Sequence, residues 1–160
     1  MKVMEFEGRH IYAHYVHLDA SNGPIIQVYV SDTELSAVEV PKQSRPLFPP
    51  VVCGILSPVR EGRWKLVGRV PVEKFIYPIF RMGTGSRGVE PRWWIYDGIR
   101  EQKVESVPPE LRSCEVLVVW SASLPEERIR TGKNLFGYEA MMQWAKEPPP
   151  PRPRREPPSV

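Results

Sequence analysis

Three histidines, His10, His14 and His17, lie within eight residues of one another. Imidazole nitrogens are common zinc ligands, so the cluster raises the question of a metal site. The surrounding residues are aromatic and β-branched and predict a strand, on which His10 and His14 share one face while His17 points to the other. The three rings cannot converge without a bulge. We therefore predict partly exposed strand histidines and no metal or other cofactor.

Nucleophilic chemistry is not indicated either. Cys53 and Cys114 lie in apolar runs outside any C-x-x-C spacing, which predicts buried free thiols. Ser86 lies in a glycine-rich loop without the G-x-S-x-G context that presents a catalytic serine, and the loop lacks the lysine of a phosphate-binding loop. Glu126 and Glu127 are explained as acids in the first turn of a helix. We predict no catalytic residues and a protein that is not an enzyme.

Aromatic and basic residues meet at Arg92, Trp93 and Trp94. On a strand the two tryptophans point to opposite faces, so at most one of them joins a one-sided core. An exposed Trp93 beside Arg92, near Arg81 and Arg87, would form an anchor of the kind enriched at protein interfaces. Burial of both rings by a second element is the alternative. These four residues, Arg81, Arg87, Arg92 and Trp93, are the candidate partner-binding residues.

Length and charge fit one globular domain over residues 1–146. The chain has 160 residues, a formal charge of +3 and a pI near 8.9, so nucleic-acid binding is allowed but not indicated. Residues 147–160 hold seven prolines and three arginines, which predicts a disordered tail with polyproline II character. It is interpreted as a solvated tail or weak nucleic-acid arm, with an SH3-type ligand as the alternative. Without a signal or membrane-spanning run, we expect a cytoplasmic protein and no membrane partner.

The elements that must position these residues are mostly strands. Apolar runs and turn signals predict seven strands, at 11–18, 25–30, 51–56, 64–70, 92–97, 103–107 and 115–120. A helical turn is predicted at 108–111, and helices at 123–130 and 134–146. The predicted fold is β-rich α+β: an antiparallel, partly barrel-like sheet of about seven strands with one or two C-terminal helices packed on it.

The segment 62–71 carries the most specific local pattern. In the strand predicted there, Trp64, Leu66 and Gly68 share one face, so Trp64 and Leu66 are expected to face the core. Gly68 has no side chain to pack and indicates a bulge or a close backbone crossing. Residues 82–88 are predicted to form a flexible surface loop.

The ordered motifs resemble the immunity protein 26 family of bacterial polymorphic toxin systems. They are YAHYV at 12–16, GPIIQVY at 23–29, FPPV at 48–51, GRWKLVG at 62–68, WIYDG at 94–98, PEL at 109–111 and ERI at 127–129. The resemblance spans roughly residues 8–132. It implies a small cytoplasmic antitoxin that binds a cognate protein toxin domain and neutralises it without catalysis. The loop at 83–91, the second helix and the tail depart from that pattern.

A second hypothesis is a nucleic-acid-binding β-barrel module. The basic tail, the loop arginines and the two adjacent tryptophans motivate it, because aromatic platforms with cations bind single strands. Many inhibitors of nucleases are acidic mimics of nucleic acid, whereas this chain is mildly basic, which favours a toxin that is not a nuclease or one that presents an acidic face. A protein partner is therefore expected ahead of nucleic acid.

Overall fold

The structure is a computed structural model and describes residues 1–72, 74–85 and 87–149. Ser86 and most of the predicted tail, residues 150–160, lie outside the described residues. Within them, no helix is both long and apolar enough to cross a bilayer.

The first sheet is built on a long hairpin. Strands β1 (Lys2–Phe6), β2 (Arg9–Asp19), β3 (Gly23–Ser31) and β4 (Arg45–Pro46) pair in that order, and β5 (Val51–Val52) also pairs with β3. All of these pairs are antiparallel. Strands β2 and β3 confirm the strands predicted at 11–18 and 25–30, and they pair as a hairpin. Strand β1 was not predicted.

The second sheet contains β6 (Phe80–Thr84), β7 (Arg92–Tyr96) and β8 (Glu101–Val104), which pair antiparallel in that order. Strand β7 confirms the prediction at 92–97, while β8 begins two residues before the return strand expected at 103–107. Strand β6 includes residues 82–84, which were expected to be loop. That expectation was wrong because Gly83 pairs with Trp93 and Thr84 with Arg92, and this pairing imposes an extended backbone.

The predicted strand at 64–70 is absent from the elements of the described chain. Trp64 is buried as expected, and its indole N–H donates to Glu126 Oε1 at 2.8 Å, but Leu66 is 63% exposed. The core-facing prediction for Leu66 was therefore wrong, since β1 pairs with this segment only at Lys65, opposite Lys2, and the pairing does not extend into a ladder. Gly68 does lie close to another segment, because an added Cβ there would lie 2.6 Å from the Ala37 Cβ, but this neighbour is a side-chain atom and not the predicted backbone crossing.

Residues 115–120 connect the two sheets and do not form the predicted strand. The backbone N–H of Leu117 donates to the Arg81 carbonyl at 2.8 Å, and the N–H of Trp120 donates to the Val52 carbonyl at 2.8 Å. These bonds belong to two isolated parallel bridges, one to each sheet. Glu115, Val116 and Trp120 in this segment are buried while Val118 and Val119 are exposed, and the segment changes sheet before a ladder can form. We call residues 115–120 the bridging segment.

Short helices complete the fold: α1 (Val40–Gln43), α2 (Leu56–Arg60), a 3-10 turn (Pro109–Leu111), α3 (Ser123–Thr131) and α4 (Tyr138–Lys146). Helix α3 confirms its prediction and ends at Gly132, whose φ of 68° is left-handed. Helix α4 begins four residues later than predicted, because a turn from Asn134 to Gly137 precedes it. Helix α2 begins at Leu56, where the strand predicted from Val51 was expected to end.

The described residues thus form an α+β fold with two antiparallel sheets and no closed barrel. The partly barrel-like sheet of about seven strands is not confirmed, because the bridging segment joins two separate sheets. The larger core lies on the first sheet and includes Trp64 and Trp120, and a smaller one joins Phe80 to Ile25 and Val52.

Candidate partner-binding groove

A groove of about 590 Å³ lies between helix α4 and the loop that joins β6 to β7. Gly85, Val89 and Pro91 line one wall, and Ala140, Met141 and Trp144 line the other. Val116 and Val118 of the bridging segment, with Leu135, also contribute to the lining. The groove is therefore formed largely by apolar atoms from three parts of the chain.

Helix α4 packs on the second sheet through close contacts among Gly83, Met141 and Trp93. A Cβ added to Gly83 would lie 2.7 Å from both the Met141 Cε and the Trp93 ring. The Trp93 ring packs against Tyr138 with a centroid separation of 5.5 Å. Trp93 is only 3% exposed as a result. Of the two arrangements that the sequence left open, the structure shows the buried one, so the exposed Trp93 anchor was wrong.

Arg81 is also buried, with 0% exposure. Its Nε donates to the Cys114 carbonyl at 2.9 Å, one terminal nitrogen donates to the Met141 Sδ at 3.4 Å, and the other donates to the Phe136 carbonyl. Burial lowers the pKa of this guanidinium from its ordinary value. Arg81 therefore holds the turn that leads into α4 from the interior of the protein. It cannot contact a partner at the surface, contrary to the sequence-based expectation.

The buried carboxylate of Glu115 joins a second, largely buried cation to the turn before α4. Arg128 donates to Glu115 Oε1 at 2.9 Å, and the Asn134 side-chain amide donates to the other carboxylate oxygen at 3.1 Å. The Arg128 guanidinium also lies over the Phe48 ring, 4.1 Å from its centroid. Sequence reasoning missed this network, although an acid inside the apolar run 115–120 is a signal for a buried ion pair.

Apolar side chains are exposed along the groove. Trp144 is 44% exposed, and Val89, Val118 and Leu135 are exposed as well. They come from helix α4, the β6–β7 loop, the bridging segment and the turn before α4. Contiguous exposed apolar residues of this kind mark interaction sites in proteins. The sequence signal for Trp144 was its position on the apolar stripe of the predicted helix, which was interpreted as a docking face.

The remaining two predicted residues lie at the edge of the groove. Arg87 Nε forms an ion pair with Glu147 Oε2 at 2.8 Å, which joins the β6–β7 loop to the end of α4. Arg92 is exposed at the start of β7, next to Pro91 of the groove wall. The structure thus separates the four candidates into two buried supports, Arg81 and Trp93, and two surface cations, Arg87 and Arg92.

The histidines do not come together. His14 Nε2 lies 3.3 Å from the Val70 carbonyl, and His17 stacks on Phe75 with centroids 4.4 Å apart. A register shift lies between Tyr15 and His17 in the β2–β3 ladder. Burial lowers the pKa of His14. Across residues 1–72, 74–85 and 87–149 no group of three histidine, cysteine or acidic side chains is arranged to hold a metal ion.

Both cysteines are free thiols, as predicted, with Cys53 buried and Cys114 half-buried. Burial raises the pKa of Cys53 to about 12, and it also raises the pKa of Cys114. A thiol reacts as its thiolate, so both groups are poor nucleophiles near neutral pH.

A buried carboxylate organises the far end of the β2–β3 hairpin. Asp19 Oδ1 accepts hydrogen bonds from the backbone N–H groups of Ser21 and Asn22 at 2.9 and 2.7 Å. Its other oxygen accepts from the hydroxyl of Tyr77 and, at 3.4 Å, from that of Tyr96. The cluster closes the turn before β3 and ties it to the second sheet.

Comparisons of the chain with models of protein families, with curated proteins and with solved structures found no match.

Proposed function

We propose that the protein is an immunity protein of a bacterial polymorphic toxin system, which binds a cognate toxin domain in the cytoplasm and neutralises it without catalysis. The observation that carries the proposal is the groove beside α4, where Trp144, Val89 and Leu135 are exposed on a firmly held frame. An inhibitor of this kind needs a surface and no reactive group. The motif resemblance to the immunity protein 26 family supports the same function.

The groove offers an anchor that suits a protein partner. Tryptophan is enriched among the residues that dominate binding energy at interfaces, because one ring buries a large apolar area at low entropic cost. Trp144 stands on the groove wall with nearly half of its surface free. A toxin side chain or helix turn that enters the groove would cover this ring together with Leu135 and Val118.

The frame beneath the groove limits the cost of binding. Arg81 donates to Phe136 in the turn before α4, and Glu115 accepts from Asn134 in the same turn. Gly83 allows the helix to approach the sheet closely. A surface that is already ordered loses less conformational freedom when a partner binds. Tight inhibition is consistent with such a preorganised site.

The net charge of the chain favours an acidic toxin face. It is +3 at neutral pH, and a positively charged protein attracts an acidic partner and speeds association more than it raises affinity. Next to the residues that line the groove, exposed cations and carboxylates are balanced, with Arg92 and Lys146 against Glu90 and Glu139.

The alternative, a nucleic-acid-binding β-barrel module, requires aromatic rings exposed to bases. Trp93, one of the two tryptophans that motivated that hypothesis, lies under Tyr138 and α4. The exposed groove is apolar, which suits protein side chains better than a phosphate backbone. We therefore propose a protein partner in preference to nucleic acid.

Co-expression tests the proposal. The toxin domain encoded beside this protein should arrest growth when expressed alone, and growth should recover when this protein is produced with it. The two purified proteins should co-elute as one complex. Failure of both rescue and complex formation would refute the immunity function, while a gel shift of single-stranded oligonucleotides that weakens steeply with salt would favour the alternative.

A further inference from the structure

The chain leaves helix α4 along the edge of the same groove. Glu147 lines the groove and is held by its ion pair with Arg87 at 2.8 Å. Two residues later, Pro149 packs against the β6–β7 loop: its Cδ lies 3.0 Å from the position of a Cβ added to Gly88. Residues 147–149 are thus fastened to the loop that forms one wall of the groove.

The sequence that follows suits the groove in length. Residues 150–160 comprise eleven residues, five of them proline. In polyproline II conformation they would extend about 34 Å, at roughly 3.1 Å per residue. Helix α4, with nine residues, is about 14 Å long at 1.5 Å per residue. The segment is therefore long enough to turn and follow the whole groove.

Its chemistry is also complementary. Proline-rich segments bind grooves lined by aromatic and apolar side chains, because their extended conformation is formed before binding. Trp144 and Val89 present such surfaces here. Arg152, Arg154 and Arg155 outnumber Glu156, so the segment carries a charge of +2. Glu90 and Glu139 are exposed carboxylates next to residues that line the groove.

We propose that residues 150–160 bind in the groove of their own chain, with prolines packed on Trp144 and arginines near Glu90 and Glu139. Attachment at Pro149 makes the binding intramolecular, and a short tether supplies an effective concentration of about a millimolar. The groove would then be occupied even if the same contact were too weak to detect between separate molecules. A toxin that uses the groove would displace the segment. The inference rests on the same groove as the proposed function but requires no toxin.

Paramagnetic relaxation in the full-length protein tests this. A nitroxide is attached at Ser159→Cys in a chain that also carries Cys114→Ser, so that buried Cys53 remains unlabelled. We expect the amide signals of Ala140 and Trp144 to lose more than half of their intensity, while that of Tyr15 in β2 stays unchanged. In the same labelled chain with Glu90→Lys and Glu139→Lys, most of the lost intensity should return.

Two outcomes would overturn the inference. Equal intensities at α4 and at β2 in the labelled protein would show that the segment does not occupy the groove. If the attenuation appears when labelled unenriched protein is mixed with unlabelled enriched protein, the occupant is the tail of a second copy. Because no toxin is present, either result leaves the proposed immunity function untouched.

Discussion

The guanidinium of Arg128 donates to the carboxylate of Glu115 across 2.9 Å, in a position where Glu115 is almost entirely shielded from solvent. Asn134 donates to the second oxygen of the same carboxylate at 3.1 Å. Helix α3 and the turn that precedes α4 therefore meet at one acid of the bridging segment. The position of the groove depends on this attachment.

Glu115→Ala should destabilise the protein strongly. It removes the buried partner of Arg128, whose own side chain is 13% exposed, and breaking a buried ion pair from one side costs about 3–5 kcal/mol. Urea unfolding measures the loss. Glu61→Ala provides the control, because its pair with Arg63 at 2.8 Å is exposed to solvent and should contribute clearly less. Equal losses in the two variants would show that the Glu115 pair does not anchor the helices.

Gly83→Ala should displace helix α4. The new methyl group would lie 2.7 Å from Met141 and from Trp93, so one of them must move, at a cost of about 1–3 kcal/mol. Faster amide hydrogen exchange across Tyr138–Lys146 would report the displacement. Gly54→Ala is the control, since its Cβ would meet only the Trp120 carbonyl at 3.9 Å. Unchanged exchange in α4 of Gly83→Ala would contradict the packing.

Asp19→Asn should lower the free energy of unfolding at neutral pH. It should also make that free energy fall less as the pH is lowered. Burial raises the pKa of Asp19, but the hydrogen bonds from Tyr77, Asn22 and Ser21 outweigh it and hold the pKa below its ordinary value. The ionised carboxylate thus stabilises the fold above the unfolded pKa, about 3.9, and this contribution is lost as the pH falls towards the folded pKa.

Urea unfolding at pH 7, 4 and 3 measures the effect of Asp19→Asn. The difference from the unmodified protein should be largest at pH 7 and shrink at pH 3. Asp32→Asn, at an exposed position after β3, should leave the curve unchanged. A constant difference at all three pH values would disprove the linkage to this carboxylate.

Cys53 should resist thiol reagents in the folded protein. With its pKa raised to about 12, its thiolate fraction near pH 8 is roughly a thousandfold below that of a free cysteine, whose pKa is about 8.5. In the Cys114→Ser variant, reaction with a disulfide reagent should be at least a hundredfold slower than in urea. Similar rates with and without urea would show that Cys53 is accessible.

Trp144→Ala should weaken toxin binding at least tenfold. The ring is the largest exposed apolar group of the groove, and loss of a buried interface tryptophan commonly costs 2 kcal/mol or more, about thirtyfold in affinity. Calorimetric titration measures the change. Tyr15→Ala is matched in exposure, at 43% against 44%, but lies on β2 outside this groove. Equal affinities for the two variants would place the toxin elsewhere.

Local patterns accounted for much of the secondary structure. The alternating residues on either side of Gly23 formed the β2–β3 hairpin, because turn formers and β-branched residues favour that pairing without help from distant residues. Helix α3 likewise followed from its first-turn acid and from Gly132 at its end. Strand β6 could not be found in this way, since Gly83 has little intrinsic preference for a strand and is held there by Trp93.

By itself the sequence determined an α+β chain with free thiols, a proline-rich tail and little sign of catalytic chemistry. Only the tertiary structure decided which of its aromatic and basic residues face solvent. Trp93 and Trp144 are both tryptophans near basic residues, yet one lies beneath α4 and the other stands on the groove wall. Burial depends on which distant segments pack together. Here the contacts of Arg81 with Phe136 and of Glu115 with Arg128 join such segments.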